Sequence, residues 1–389
     1  MSRPRTAQEL IHWLEVGGGA RWLRLAAVLA VTLALSLRVA WTQFHGPGSE
    51  ATLIQADTGR QLAQGAGFTT LVNFPQTAAV LEARGLRFDP GRPYPELHHA
   101  PLYPLVIAGA LRVLPSRWRE AWMVTAPVPP DGFAPDYVLL GLNLVLLWLA
   151  AGLTYVLGRR LFEPRVGALA AGAVLLSVSI WRETVAVNGT PLLMVLALGA
   201  FLVWHRIEEG AATAAPGVRL ALWPAALGLC GALLFLAEYA AGTLVLVALA
   251  YAFFRFQGGR RWLVMAGVAG GFAVGAVPWV LRNVILTGHP VALAGHNVAL
   301  KAGDSTAEPV TMRATLSAVG PRIDLKKLAN KTLSTLQEDL KSRIWSGGAM
   351  WFSAFLSPDG CMPFARRPRT ACAGFSRRPL VCCCWPRRR

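Results

Sequence analysis

Apolar runs of membrane-spanning length, separated by short turns with basic residues, constrain this sequence more than any other feature. The first run, residues 22–41, holds about 20 residues, which as a helix matches a hydrocarbon core of roughly 30 Å. Hydrophobic residues make up 54% of the 389 positions and charged residues 15%, unlike the balance in soluble domains. We therefore predict an all-α, polytopic membrane protein with about seven transmembrane helices. The predicted apolar spans are 22–41, 137–157, 166–180, 191–204, 220–236, 243–254 and 262–281.

The distribution of arginine gives these spans a direction. Arg3, Arg5 and Arg21 precede the first span, and the turns assigned to the inner side carry most other basic residues of the spanning region, as the positive-inside rule requires. The stretch 101–114 is too short to cross a bilayer, so we predict a re-entrant or interfacial helix there. The predicted order is a cytoplasmic N-terminus (1–21), a first transmembrane helix (22–43), an extracytoplasmic catalytic loop (44–135) and six further transmembrane helices (136–281).

The chain after the seventh span is divided by its composition. Residues 282–343 are expected to form a second extracytoplasmic loop with an amphipathic helix, because leucines recur there at near-helical spacing. Residues 344–357 are expected to begin a span that is cut off. The stretch 358–389 is rich in arginine and cysteine and lacks helical periodicity. We expect a reading-frame change near residues 355–358 to have produced this tail, with a lipidated native tail as the alternative.

Charge and cysteine usage exclude several classes of protein. The net charge of +17 sits largely in turns and termini, and no nucleic-acid-binding motif interrupts the apolar runs, so no nucleic-acid partner is expected. Five of the six cysteines lie after residue 360, which is no disulfide framework. The sequence contains no Walker loop, dinucleotide fingerprint or zinc-protease helix.

The outer loops and two turns carry a more specific pattern. The first outer loop opens with "GSEATLIQADTGRQLAQGAGFTT" and closes with "PYPELHHAPLYPLVIAGALRVL"; further along stand "LGRRLFEPRVGALAAGAVLLSVS", "ETVAVNGTPLLMVLALGAFL" and "VPWVLRNVILTGHPVAL". In order and topology, these segments resemble the GT-C superfamily, especially dolichyl-phosphate-mannose protein mannosyltransferases and aminoarabinose transferases. The resemblance covers residues 20–300. It implies a glycosyltransferase that moves a sugar, with inversion, from a polyprenyl- or dolichyl-phosphate to an acceptor hydroxyl on the extracytoplasmic face.

The resemblance also implies a catalytic acid at the start of the first outer loop. Glu50 is the positional match, and Asp57, seven residues along on the same side of a helix, is the second candidate. One carboxylate is enough, because the lipid phosphate is already a good leaving group and only the incoming hydroxyl needs a base. Either residue could instead be an ordinary solvated loop acid.

The departing phosphate needs positive charge or hydrogen-bond donors at the membrane surface. Arg282, at the outer end of the seventh span, is the first candidate, although arginine at a helix end is commonly an interface anchor. His98, His99 and Arg60 are the other substrate-binding candidates. No metal ligands are identified and no cofactor is certain, while a divalent cation is left open. The expected partners are a lipid-linked sugar donor, a lipid, glycan or protein acceptor, and membrane lipids.

Two other classes of function stay open. The chain could be an inactive, truncated relative of the superfamily, or it could be a secondary transporter, which should show broken helices with polar groups at midspan and an internal repeat. The apolar runs contain few ionisable residues, and the polar residues collect in the two outer loops. The expected location is the bacterial inner (cell) membrane, with several passes.

Overall fold

A computed structural model describes residues 18–86, 89, 91–115, 117, 134–212, 217–295, 326, 329–330 and 332–334. About 80% of these residues are helical. The predicted N-terminal residues 1–17, the segment 344–357 and the tail 358–389 lie outside them. The helices are α1 (Gly18–Gln43), α2 (Glu50–Gln64), α3 (Pro75–Ala83), α4 (Leu102–Val113), α5 (Ala134–Leu161), α6 (Pro164–Leu176), α7 (Val178–Val185), α8 (Thr190–Ala212), α9 (Gly217–Ala237), α10 (Leu244–Arg255) and α11 (Gly258–Thr287), with a 3-10 helix at Tyr239–Thr243 before α10.

Several helices present apolar faces that only a bilayer would solvate. Among the described residues, four helical segments are long and apolar enough to cross a membrane, or five if the bent pair α6–α7 is one span. Trp22, Val31 and Leu37 of α1 are all more than half exposed, which is unfavourable in water for a contiguous surface. The structure is therefore that of an all-α membrane protein. The four segments are Leu25–Gln43, Pro135–Leu161, Thr190–Gly210 and Gly258–Thr287.

The predicted span 166–180 is broken into two helices. The chain bends by 54° between α6 and α7, with extended backbone at Ser177. The indole Nε1 of Trp181 donates a 2.6 Å hydrogen bond to the carbonyl of Leu175, a group that the end of α6 would otherwise leave without a partner. This bond stabilises the break, although the local sequence contains neither proline nor glycine at the bend.

Glycines bring α9 and α11 into backbone contact. A Cβ added to Gly228 would lie 2.0 Å from the carbonyl oxygen of Val268, and one added to Gly271 would lie 2.1 Å from that of Ala225. Small residues allow this close approach between membrane helices, where van der Waals packing replaces the hydrophobic drive. The close packing of α9 against α11 therefore depends on glycine at these two positions.

Gly271→Ala should lower the thermal unfolding temperature of the detergent-solubilised protein. The new methyl group meets backbone atoms that cannot rotate away, and overpacking of this kind costs about 1–3 kcal/mol. Gly270→Ala is the matched control, because a Cβ at Gly270 meets no atom within 4 Å and alanine favours a helix over glycine. Equal unfolding temperatures for the two variants would contradict the close contact of α9 and α11.

Between α1 and α5 the chain forms a polar lobe, defined here as the described residues of 44–115. Ser49 caps α2 through a bond from the Thr52 amide to its hydroxyl. The two-residue strands β1 (Thr69–Thr70) and β2 (Tyr94–Pro95) pair antiparallel. Helix α4 packs on α2 so closely that a Cβ at Gly59 would lie 2.4 Å from Ile107. The lobe thus has its own small core.

The end of α11 is attached to this lobe. Arg84 donates to the carbonyl of Val284 near the helix end (3.2 Å), and the amide of Leu293 donates to the carbonyl of Leu97 (3.0 Å). Leu293 is buried with residues of α3 and β2. These contacts place the last turns of α11 beside β2 and the residues that follow it.

Within the predicted amphipathic helix, the structure describes residues 326, 329–330 and 332–334, and all of these are helical and exposed. The remaining positions of that predicted helix lie outside the described residues.

Candidate functional site

Arg282 stands in the last turns of α11 and is fixed by the polar lobe. Its guanidinium donates to the carbonyls of Glu96 (3.2 Å) and Phe68 (3.5 Å) and to the side-chain oxygen of Asn283 (3.2 Å). It also lies over the rings of Trp279 and Phe68, at 4.4 and 5.1 Å from the centroids. Stacking on aromatic faces holds a planar guanidinium in one orientation. Arg282 is therefore a positioned cation rather than a loosely extended side chain.

The Glu96 carboxylate organises the segment that follows β2. Only 2% of Glu96 is exposed, and its amide donates to the carbonyl of Phe68 (3.2 Å). Its Oε1 atom accepts from the amides of His98 (2.9 Å) and His99 (2.7 Å) and lies 2.7 Å from His99 Nδ1. Because an ionised carboxylate only accepts hydrogen bonds, His99 Nδ1 carries a proton in this arrangement.

The charge of Glu96 is stabilised where it lies. Burial alone raises the pKa of this carboxyl, but the hydrogen bond from His99 and the interactions with His99 and His98 outweigh that effect, so the pKa lies below its usual value. A buried carboxylate that remains ionised needs such partners. The site thus contains one buried negative charge with hydrogen-bond donors around it.

Tyr239 connects this segment to α11. Its hydroxyl accepts from the indole of Trp279 (2.9 Å) and the amide of Asn283 (3.5 Å) and donates to the carbonyl of His99 (3.4 Å). Trp279 in turn contacts the ring of Phe68 edge-on, at 4.8 Å between centroids. Arg282, Glu96, His99 and Tyr239 therefore form one hydrogen-bonded cluster at the C-terminal end of α11, which we call the α11 cluster.

His98 is directed into the lobe. It is 5% exposed, its Nε2 lies 3.2 Å from the hydroxyl of Thr77, and its ring contacts that of Phe74 at 5.3 Å. Both contacts lie on or next to α3. The structure therefore separates the adjacent histidines: His99 belongs to the α11 cluster, and His98 packs against α3.

Asp57 supports β1. Its Oδ2 accepts from the hydroxyl of Thr70 (2.8 Å) and the amide of Leu71 (2.7 Å). Asp57 bonds to β1 and to the residue after it, whereas Arg282 of the α11 cluster contacts Phe68, the residue just before β1. The described contacts give this carboxylate a structural function.

Arg60 connects the lobe to α5. Its guanidinium forms a 2.5 Å ion pair with Asp136, with 21% and 14% of the two side chains exposed. Asp136 lies in the first turn of α5, where a negative charge favours the helix dipole. The structure therefore places Arg60 in an ion pair between elements and not in the α11 cluster.

Glu50 is the first residue of α2, and it is exposed. The preceding Gly48 packs against the end of α7, where its amide donates to the carbonyl of Ala186 (3.0 Å) and an added Cβ would lie 2.9 Å from Ala186 Cβ. At 1.5 Å per residue, Glu50 and Asp57 stand about 10 Å apart along α2. The two acids cannot share one hydroxyl, so the helix presents two separate candidates for the base.

Among the described residues, no group of three or more His, Cys, Asp or Glu side chains is placed to hold a metal ion. Cys230, in α9, is a free cysteine.

Glu96 and Tyr239 are the two members of the α11 cluster that the sequence did not identify. Glu96 lies inside the quoted segment "PYPELHHAP", where a carboxylate two and three residues before paired histidines was the available signal. Tyr239 follows an apolar helix in a short turn and had no local signal. No family model, curated protein or solved structure matches this chain.

Proposed function

We propose that the protein is a glycosyltransferase of the bacterial inner membrane that moves a sugar from a polyprenyl- or dolichyl-phosphate to an acceptor hydroxyl on the extracytoplasmic face, with inversion. The observation that carries this proposal is the α11 cluster, in which Arg282 and His99 both bond to Glu96 at the end of a membrane-length helix. Nitrogen donors held by buried hydrogen bonds, one of them the always-charged guanidinium, suit a phosphate that remains at the membrane surface. The resemblance of the loops to the GT-C superfamily supports the same chemistry.

The proposed reaction needs little from the protein beyond positioning. The acceptor hydroxyl attacks the anomeric carbon while the bond to the phosphate oxygen breaks, and the phosphate leaves with the bonding electrons. A carboxylate takes the hydroxyl proton, and Glu50 is our first choice because it is exposed at the start of the lobe. Arg282 and His99 stabilise the charge that develops on the leaving phosphate, which is where preorganised donors lower a barrier.

Seven transmembrane passes belong to the same proposal. Helices cover all seven predicted apolar runs. The runs in α9, α10 and the bent pair α6–α7 are not among the four membrane-length segments, and we propose that these helices cross the bilayer as well. In this topology the polar lobe and the residues after α11 are extracytoplasmic, and the turn between α10 and α11 is cytoplasmic.

Cysteine labelling tests the topology. In a background with the native cysteines replaced by serine, Gly91→Cys in the lobe should react with a membrane-impermeant maleimide in intact cells. Gly259→Cys in the first turn of α11 should react only after the cells are opened. Both positions are exposed and have room for a side chain. The reversed pattern would overturn the predicted orientation.

A transfer assay tests the function. The full chain in proteoliposomes is given undecaprenyl phosphates carrying radiolabelled mannose, glucose or aminoarabinose, with membranes from the producing cells as the source of acceptor. Transfer of label to an acceptor, dependent on the protein, is the expected result. Release of no label from any donor, by a protein that is folded by thermal unfolding, would contradict the proposal.

A secondary transporter is the second candidate function, because the 54° break between α6 and α7 is a feature of helices that line transport sites. The same proteoliposomes distinguish the two functions. A transporter would carry a soluble sugar across the bilayer without changing it chemically, and it would leave the lipid-linked donors intact.

A further inference from the structure

Glu96, the acidic residue of the α11 cluster, is buried and yet makes several hydrogen bonds. Glu96 accepts three hydrogen bonds on a single oxygen, two from backbone amides and one from the His99 ring. A buried carboxylate costs folding free energy unless it is paired. Such a group is retained more readily when it sets the geometry of its neighbours.

Glu96 bonds to both His99 and Arg282, through different atoms. Its side chain receives His99 Nδ1 at 2.7 Å, while its main-chain carbonyl receives the guanidinium of Arg282 at 3.2 Å. Pairing with the carboxylate fixes the imidazole ring, and it leaves the Nε2 atom on the far side of the ring from Glu96. His99 itself is part-buried, with 13% of its side chain exposed.

We infer that Glu96 is the positioning residue of the phosphate site: it holds His99 so that Nε2–H donates a hydrogen bond to a phosphodiester oxygen of the lipid-linked sugar, beside Arg282. This inference rests on the proposed function. A carboxylate paired to one ring nitrogen orients the other nitrogen, as second partners do for histidine ligands. Glu96 touches no substrate in this arrangement and acts through His99.

The distinguishing experiment is a double-mutant cycle on binding. The probe is undecaprenyl phosphomannose, bound to the full chain in detergent and followed by microscale thermophoresis. His99→Gln and Glu96→Gln should each weaken binding by about tenfold, as expected for loss of one charge-assisted hydrogen bond. Because both changes remove the same contact, the double variant should bind no more weakly than either single variant. If Glu96 acts on binding independently of His99, the two losses multiply, and the inference is wrong; it is equally wrong if Glu96→Gln binds as tightly as the wild type.

Rescue by the conservative variant gives a second readout that a structural role would not move. Glu96→Asp keeps the carboxylate, so it should recover part of the binding that Glu96→Gln loses, and it should recover none of it in the His99→Gln background. Binding by Glu96→Asp as weak as binding by Glu96→Gln would overturn the inference.

Failure of this inference can be separated from failure of the proposed function. If the wild-type protein does not bind the probe, the proposed function fails. If it binds and depends on Arg282, but the Glu96 and His99 effects multiply, only the role of Glu96 is wrong. Should Glu96→Gln not accumulate in cells, Glu96→Asp, alone and combined with His99→Gln, decides the question in the same cycle.

Discussion

Arg282→Ala should weaken binding of undecaprenyl phosphomannose by about 30-fold or more, since removal of one partner from a buried, hydrogen-bonded charge pair costs at least about 2 kcal/mol. The side chain is held by two main-chain carbonyls and by the rings of Phe68 and Trp279. Its charge is therefore already in place when the phosphate arrives. The measurement is the dissociation constant from microscale thermophoresis, together with the apparent KM for the donor.

Two further variants separate the position of Arg282 from its charge. Arg282→Lys keeps the charge but loses the planar fork and the ring stacking, so binding should fall between that of the wild type and that of the alanine variant. Arg112→Ala is the matched control, because Arg112 lies in the polar lobe and, like Arg282, donates to a main-chain carbonyl, that of Leu62 at 2.7 Å. Equal losses for Arg112→Ala and Arg282→Ala would mean that positive charge on the lobe acts without a defined site.

Glu50→Gln should lower the rate of sugar transfer by at least about two orders of magnitude while donor binding stays near that of the wild type. Positioned base catalysis contributes roughly 10²–10⁴ in rate, and glutamine keeps the size of the side chain while losing the proton acceptor. The first residue of α2 should tolerate the exchange, because the Ser49 cap and its bond from the Thr52 amide do not involve Glu50. The measurement is initial transfer rate at saturating donor.

Asp57→Asn is the control for that result. Asp57 accepts hydrogen bonds from Thr70 and Leu71, and an asparagine carbonyl can accept the same two bonds. The transfer rate should therefore change by less than about tenfold, a loss below that from base catalysis. If Asp57→Asn abolishes transfer and Glu50→Gln does not, the base is Asp57. If neither variant affects transfer, the proposed mechanism fails.

The helices along the chain were largely predictable because hydrophobicity alone sets them. In a bilayer, a long apolar run has no stable alternative to a helix, so α1, α5, α8 and α11 fall where the apolar runs lie. The helix over Leu102–Val113 was also expected from its length. The break at Ser177 was not, because it depends on the hydrogen bond from Trp181 to Leu175, and neither residue type is a helix breaker.

The α11 cluster was predictable only in part. Arg282 and His99 stood out as a charge at a helix end and an outer-loop histidine, but their proximity depends on β2 lying beside β1. The pairing of Thr70 with Tyr94 determines where Glu96 falls, and two-residue strands leave no alternating pattern in a sequence. Conversely, Arg60 and His98 had suitable chemistry for binding phosphate, but packing against Asp136 and α3 places them elsewhere.

The length of α11 determines how far a lipid-linked donor would have to move out of the bilayer to reach Arg282. Thirty residues of helix extend about 45 Å, whereas the hydrocarbon layer is roughly 30 Å thick. In the proposed topology, a layer that begins at Trp262 ends about 20 residues later, near Leu281, which places Arg282 at the level of the headgroup phosphates. A polyprenyl chain can then remain dissolved in the bilayer during the proposed reaction. No methylene group has to be extracted, a step that would cost about 0.8 kcal/mol for each one moved into water.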